Sequence, residues 1–322
     1  LAVHSAVSAQ PAARSLGSEG AAAGLHDVVR NPDIDVVDIC APNYLHREMA
    51  LAALASGKHV YCEKPLATTL ADAREVARAA RLAGVCCLIG FNYICNPLLQ
   101  LAREMIAAGE LGEIISFRGR YFEDYLSDPR LPFTWRCERR LAGAGALADL
   151  GSHLINLAHF LLGPIARVAA ALETIHRERI DPSAGRARTV ENEDSAHALI
   201  EFQSGVRGSI EVSRAAAGYK CGLAAEIIGT RGSIEFDQER MNELRLYSAG
   251  SVAGRRGFTT VLPGPEDPDY AAFCPAPGHG LGVNDLKVIE VRNLLRAIRE
   301  HRDAWPDFAE GVRVQEVMEA IE

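Results

Sequence analysis

Residues 33–67 read DIDVVDICAPNYLHREMALAALASGKHVYCEKPLA. Two short apolar runs, Asp35–Cys40 and His59–Cys62, flank His46–Gly57, where apolar residues recur at helical spacing and Gly57 supplies a C-terminal stop. Strand, helix and strand in that order form the crossover unit of a parallel sheet. The pattern extends to both sides. Leu1–Val7 and Val85–Gly90 read as further strands, and Leu25–Arg30 and Leu70–Ala83 as further helices, the last stopped by Gly84. Together they make half of a doubly wound α/β domain, predicted over residues 1–97.

Beyond Pro97 the pattern changes. Leu98–Ala108 keeps helical spacing, the turn signal Gly109–Gly112 closes it, and from Ile114 the period becomes two. Strand-type runs follow at Ile114–Phe122, Ala166–Thr174, Ser195–Phe202, Val206–Ser213, Leu223–Ile228, Ser233–Phe236 and Leu244–Ser248. Strands without intervening helices form an antiparallel or mostly antiparallel sheet. One helix, Gly145–Leu162, interrupts it, and a second, Asp285–His301, follows an irregular Pro/Gly segment, Leu262–Gly282. The expectation is an α+β domain with a large open, mostly antiparallel sheet over residues 98–322.

Composition narrows the function classes. With 42 acidic residues against 34 basic ones and a formal net charge of −8, the basic footprint of a nucleic-acid binder is absent. No apolar run approaches the roughly 18 residues of a membrane span, and the start lacks the regions of a signal peptide, so the chain reads as cytoplasmic with no membrane partner. The eight cysteines form no C-x-x-C pair and have no histidine at metal spacing. They read as small core residues in a reducing compartment, and no metal site is expected.

Ligands of a parallel sheet collect at the carboxyl ends of its strands, so the residues after each strand carry the first functional signal. After Asp35–Cys40 come Ala41, Pro42, Asn43 and, on the next helix, His46. Asn43 either caps that helix or bonds a ligand. After His59–Cys62 come Glu63, Lys64 and Pro65, a charge pair at the mouth of a buried sheet, and after Val85–Gly90 comes Asn92. The G-x-G-x-x-G fingerprint of a dinucleotide site is absent in the right context. The expectation is that the first βα unit is missing and that Leu1–Val7 is the second strand. At its end Ser5 and Ser8 stand where an acidic residue would bind the ribose hydroxyls of NAD, which leaves NAD or NADP open and inclines slightly to tolerance of NADP.

The second signal is GALADLGSHLINLAHFLL, residues 145–162, almost wholly apolar except that Asp149, His153 and Asn156 fall at i, i+4 and i+7 on one face. Buried polar groups cost about 1–3 kcal/mol each if unpaired, so this stripe is either a structural network or faces a ligand. Alcohol oxidation by hydride transfer needs a base of the histidine type, with a reference pKa of about 6.5, a carboxylate to stabilise the imidazolium, and a cation to polarise the carbinol oxygen. His153, Asp149 and Lys64 offer that set.

These motifs resemble the Gfo/Idh/MocA oxidoreductases, which include glucose–fructose oxidoreductase and inositol dehydrogenases. The resemblance is carried by Asp33–His46, GKHVYCEKPLA (Gly57–Ala67), GFNYICNP (Gly90–Pro97), GEIISFRG (Gly112–Gly119), Thr134–Gly163 and Pro306–Glu322. It implies a Rossmann domain followed by a substrate domain whose open sheet serves oligomerisation, as a homodimer or homotetramer. It implies a sugar or polyol substrate, with Lys64, Asp149 and His153 catalytic. It further implies that Ala41, Pro42, Asn43, His46, Glu63, Lys64, Asn92, Trp135 and Arg136 contact the cofactor. Lys64, Tyr121, Arg136, His153 and Asn156 are implied as substrate contacts. An alternative for Trp135 and Arg136 is a packing anchor beside a surface arginine.

Beyond the missing Gly-rich loop, the chain departs from the family pattern at two positions. Ile94 stands where many relatives carry Arg, and Asn156 replaces a common Asp, both changes that bear on substrate choice. The same fold also occurs in non-catalytic dinucleotide- or sugar-sensing regulators and in NAD-dependent glycosidases. A pure sensor need not retain the Lys64, Asp149 and His153 set, which is intact here.

Overall fold

The computed structural model describes residues 24–250 and 256–322, together with 15, 17, 20, 22 and 254. The expected strand Leu1–Val7, with Ser5 and Ser8, lies outside the described residues. The chain divides into two compact units, residues 1–90 with 293–312 and residues 91–292 with 313–322. The sequence reading put the division after Pro97 and gave no hint that residues 293–312 group with the first unit.

In the first unit, helix α1 (Leu25–Arg30) leads to strand β1 (Val36–Ile39), α2 (Asn43–Ala55), β2 (His59–Cys62), α3 (Leu70–Ala83) and β3 (Cys87–Ile89). The strands pair in parallel in the order β1-β2-β3. Local chemistry sets the boundaries of α3. The Thr69 side chain accepts from the Asp72 amide at its start, and Gly84, at φ 63°, takes the left-handed position at its end. Asn43 is the first residue of α2, one place past the cap position, which Pro42 occupies. From residues 293–312, Leu294, Ala297 and Ala304 pack on Tyr61 and Leu88, and the Pro306 carbonyl accepts from the Ile89 amide at 3.0 Å.

His46 ties the ends of β1 and β2 together. Its ring is fully buried, with Nδ1 2.7 Å from the Pro65 carbonyl oxygen and Nε2 2.8 Å from that of Ala41. A neutral imidazole donates from one nitrogen only, so two carbonyl partners favour the imidazolium, and so does nearby Glu63. Burial outweighs them and lowers the pKa from its usual value.

The second unit opens on a 3-10 turn (Asn92–Cys95) and α4 (Pro97–Ala107), where the Asn96 side chain accepts from the Leu98 amide at 2.9 Å and Pro97 takes the first turn. Its sheet comprises β4 (Ile114–Phe122), β5 (Ile165–Glu173), β8 (Ser195–Phe202), β9 (Arg207–Ser213), β10 (Gly222–Gly229), β11 (Gly232–Asp237), β12 (Leu244–Ser248) and β13 (Thr259–Val261), with a separate hairpin of β6 (Glu178–Asp181) and β7 (Arg186–Thr189). The strand order is β13-β12-β11-β10-β4-β9-β8-β5, and β4 with β9 is its only parallel pair among the described residues. The hairpin, β13 and a closing helix were not foreseen. Helix α5 (Ser152–Leu162) packs on β4, where Gly119 makes room: a Cβ there would lie 2.7 Å from Leu154 Cδ1. Helices α6 (Val283–Arg299) and α7 (Phe308–Ile321) follow. Among the described residues no helix is long and apolar enough to cross a membrane.

A buried polar cluster organises this unit. Arg214, just past β9, donates from Nε to Asp194 Oδ1 at 2.8 Å and from Nη2 to Asn192 Oδ1 at 2.9 Å, with Arg214 and Asp194 side chains 2% and 0% exposed. Asp194 Oδ2 accepts from the amides of Ile175 and His176 at 2.9 and 3.0 Å. Beside them, Glu193 accepts from the Ala146 amide with its carbonyl at 3.0 Å and from the Leu147 amide with Oε1 at 2.8 Å. Gly145 is required here, because a Cβ would fall 2.0 Å from the Glu193 carbonyl oxygen.

Two stability measurements follow. Arg214→Ala leaves the Asp194 carboxylate buried without its cation and should cost about 3–5 kcal/mol in denaturant unfolding; a loss below 1 kcal/mol would contradict the assigned weight. For His46 the folded pKa lies below the unfolded value of about 6.5, so the unfolded chain takes up a proton that the folded chain refuses and stability drops as pH falls below that value. His46→Gln should flatten the stability–pH curve in that window, and an unchanged slope would refute the assignment.

Candidate active site

The carboxyl edge of the parallel sheet gathers the first set of predicted residues. Ala41, Pro42 and Asn43 follow β1, and Glu63 and Lys64 follow β2, all partly buried. The main-chain ladder runs on past the strands, with the Glu63 amide donating to the Ile39 carbonyl at 3.0 Å and the Gly90 amide to that of Cys62 at 2.9 Å. Gly90 lets the Glu63 side chain lie over the end of β3, since a Cβ there would meet Tyr61 Oη at 2.7 Å and Glu63 Oε2 at 3.1 Å. Partly buried polar groups at the carboxyl edge of a parallel sheet suit a nicotinamide dinucleotide. His46 requires a correction. Its ring is spent on two backbone carbonyls and has no exposed surface, so it shapes this edge and does not touch a cofactor.

In the second unit, Asp149 and His153 lie on a helix with an irregular start. Leu147–Gly151 is a π turn and regular α-helix begins only at Ser152, so Asp149 sits in a wider turn than α-helical spacing assumes. Such turns are frequent at functional sites. The Glu193 carboxylate on the Leu147 amide anchors this start and places negative charge at the positive end of the helix dipole.

His153 is buried among aromatic rings. Its ring lies 4.7 Å from Tyr93, 5.6 Å from Phe91 and 6.1 Å from Tyr121, centroid to centroid. Tyr93 and Tyr121 share a hydroxyl–hydroxyl bond of 2.8 Å, and the Cys221 thiol lies 3.4 Å from the first and 3.6 Å from the second. Burial pushes both phenols above their usual range, so they act as neutral donors and acceptors. Tyr121, read as a substrate contact, is buried within this box, and Asn156 is buried one turn past His153. Asn92 is buried at the start of the 3-10 turn.

Asp149 accepts from the Tyr125 hydroxyl at 2.6 Å, a length typical of a charge-assisted bond. Trp135 and Arg136 form a 3-10 turn, with the Arg136 guanidinium 4.5 Å from the Trp135 ring centre. The Arg136 side chain is exposed, while its carbonyl is pinned by Asn192 Nδ2 at 2.9 Å and Arg214 Nη1 at 3.3 Å. Sequence reasoning missed Tyr93, Tyr125, Glu193 and the Asp194–Arg214 pair. The run Asn192-Glu193-Asp194 just ahead of an apolar strand was the available signal. Among the described residues no group of three His, Cys, Asp or Glu side chains could hold a metal ion.

Comparison with known proteins places the chain in a family. Residues 2–91 match the oxidoreductase-family NAD-binding Rossmann fold, and residues 99–235 match the GFO/IDH/MocA C-terminal domain. The chain is 38% identical to levoglucosan dehydrogenase of Pseudarthrobacter phenanthrenivorans over 97% of its own length and 83% of the relative's. It is 30% identical to scyllo-inositol 2-dehydrogenase (NAD(+)) of Bacillus subtilis, covering 83% of this chain and 72% of that one. A solved levoglucosan dehydrogenase in complex with NADH and levoglucosan superposes with a TM-score of 0.96 at 38% identity, over 99% of this chain and 85% of that one. Both domain types, in this order on one chain, together with relatives similar along most of its length, establish that it belongs to the Gfo/Idh/MocA family of oxidoreductases.

Proposed function

We propose that this oxidoreductase interconverts a secondary hydroxyl and a ketone on a cyclic sugar, anhydrosugar or polyol, with His153 as the general acid/base. The observation that carries this reading is the placement of His153, a buried imidazole walled by Phe91, Tyr93 and Tyr121 on the same helix as an anchored carboxylate. The likeness to levoglucosan and inositol dehydrogenases supports the substrate class.

Bound NAD would accept the hydride from the carbinol carbon, held by the Asn43, Glu63 and Lys64 edge of the parallel sheet. The chain's own residues handle the proton. His153 takes it from the substrate hydroxyl as the carbon–hydrogen bond breaks, and returns it in the reverse direction. Asp149 stabilises the imidazolium so formed. The Lys64 ammonium stabilises negative charge as it develops on the carbinol oxygen. The aromatic walls exclude water and strengthen each of these interactions. Asn156, with both a donor and an acceptor, is assigned to a substrate hydroxyl.

The test is nicotinamide absorbance on a panel of levoglucosan, inositols and free hexoses. At least one should be turned over, and His153→Ala and Lys64→Ala should each lower kcat by about a hundredfold or more. Unchanged rates in both variants would remove these residues from the mechanism.

A further inference from the structure

Tyr125 is held more firmly than a packing residue requires. The loop that carries it, residues 123–134, is pinned immediately before and after it: the Glu123 amide donates to the Ser213 carbonyl at 2.9 Å, and the Leu126 amide to that of Arg214 at 3.0 Å. From the β6–β7 hairpin the fully buried Arg179 gathers three carbonyls of the same loop, Leu126 at 2.6 Å, Asp128 at 2.9 Å and Leu131 at 3.2 Å. One guanidinium thereby fixes the path of the chain that aims the Tyr125 hydroxyl at Asp149 Oδ2, 2.6 Å away. Burial and the adjacent carboxylate both push the Tyr125 phenol well above its usual range, so it keeps its proton and acts as a donor throughout the working pH.

We infer that Tyr125 is a positioning residue for catalysis, one that orients the Asp149 carboxylate and keeps it ionised beneath His153, with Arg179 setting the loop that delivers it. This rests on the reading of Asp149 as the carboxylate that serves His153. A donor on a carboxylate favours its charged form, so removing the donor raises the pH at which the carboxylate becomes protonated.

The experiment is the pH profile of kcat/KM for NAD reduction by the best substrate of the panel, in the full chain and in Tyr125→Phe, with Asp149→Asn alongside. Tyr125→Phe should move the acidic limb upward by about one pH unit and leave KM for NAD unchanged. Replacing Tyr125 with 3-fluorotyrosine, a stronger donor of nearly the same shape, should move the limb the other way, and this arm decides the matter even where Tyr125→Phe folds poorly. An unmoved limb in both, or a lowered Tm as the sole effect, overturns the inference while Asp149→Asn still abolishes turnover. Full turnover in Asp149→Asn would instead sink the underlying reading, and the inference with it.

Discussion

Asp194 and Arg214 meet at 2.8 Å with both side chains withdrawn from solvent, and the residue beside Asp194, Glu193, holds the start of the helix that bears Asp149 and His153. A lone charge in this position would be costly to bury, so each member of the pair needs the other. Through Arg214 and Asn192 it fixes the carbonyl of Arg136. Through the adjoining Glu193 it fixes the amides of Ala146 and Leu147, where the helix bearing Asp149 and His153 begins. Three consecutive polar residues, Asn192, Glu193 and Asp194, thus connect the edge of a β-strand to the register of a helix.

The same helix is held on its other side by close approach. Gly119 lets Leu154 settle against β4, and β4 carries Tyr121 into the ring box around His153. The π turn lies between these two restraints and widens the helix where Asp149 leaves it. Tyr125 then closes on that carboxylate from a loop anchored by Arg179. A buried histidine walled by rings has a pre-set environment, the kind in which, under the proposed mechanism, little solvent has to reorganise as charge develops.

Much of this architecture was legible in the sequence. The strand–helix–strand unit of residues 35–62 is written in local signals, and α3 in particular has its cap and stop, Thr69 and Gly84, where sequence rules put them. Lys64, Asp149 and His153 stood out because polar groups in apolar surroundings are conspicuous. The β6–β7 hairpin was not visible, since ERID and RART are dominated by charge and are held by contacts such as Arg188 with Asp181 at 3.2 Å rather than by an apolar face. Helix α7 was obscured by Gly311 within its first turns. The Tyr125–Asp149 bond spans 24 positions, and no periodicity encodes it. His46 misled in the opposite way: a histidine beside a ligand edge reads as a contact until both its nitrogens are found on backbone carbonyls.

Family membership fixes the chain as an oxidoreductase with an NAD-binding Rossmann domain. Its chemistry, on the account given, is direct transfer of the carbinol hydrogen while His153 handles only the hydroxyl proton. The most direct measurement uses a sugar or polyol substrate deuterated at the reacting carbon, with the NADH product read by NMR. The account predicts that the deuterium appears quantitatively at C4 of the nicotinamide ring. Deuterium lost to solvent water would contradict it, because the carbon-bound hydrogen would then have left as a proton.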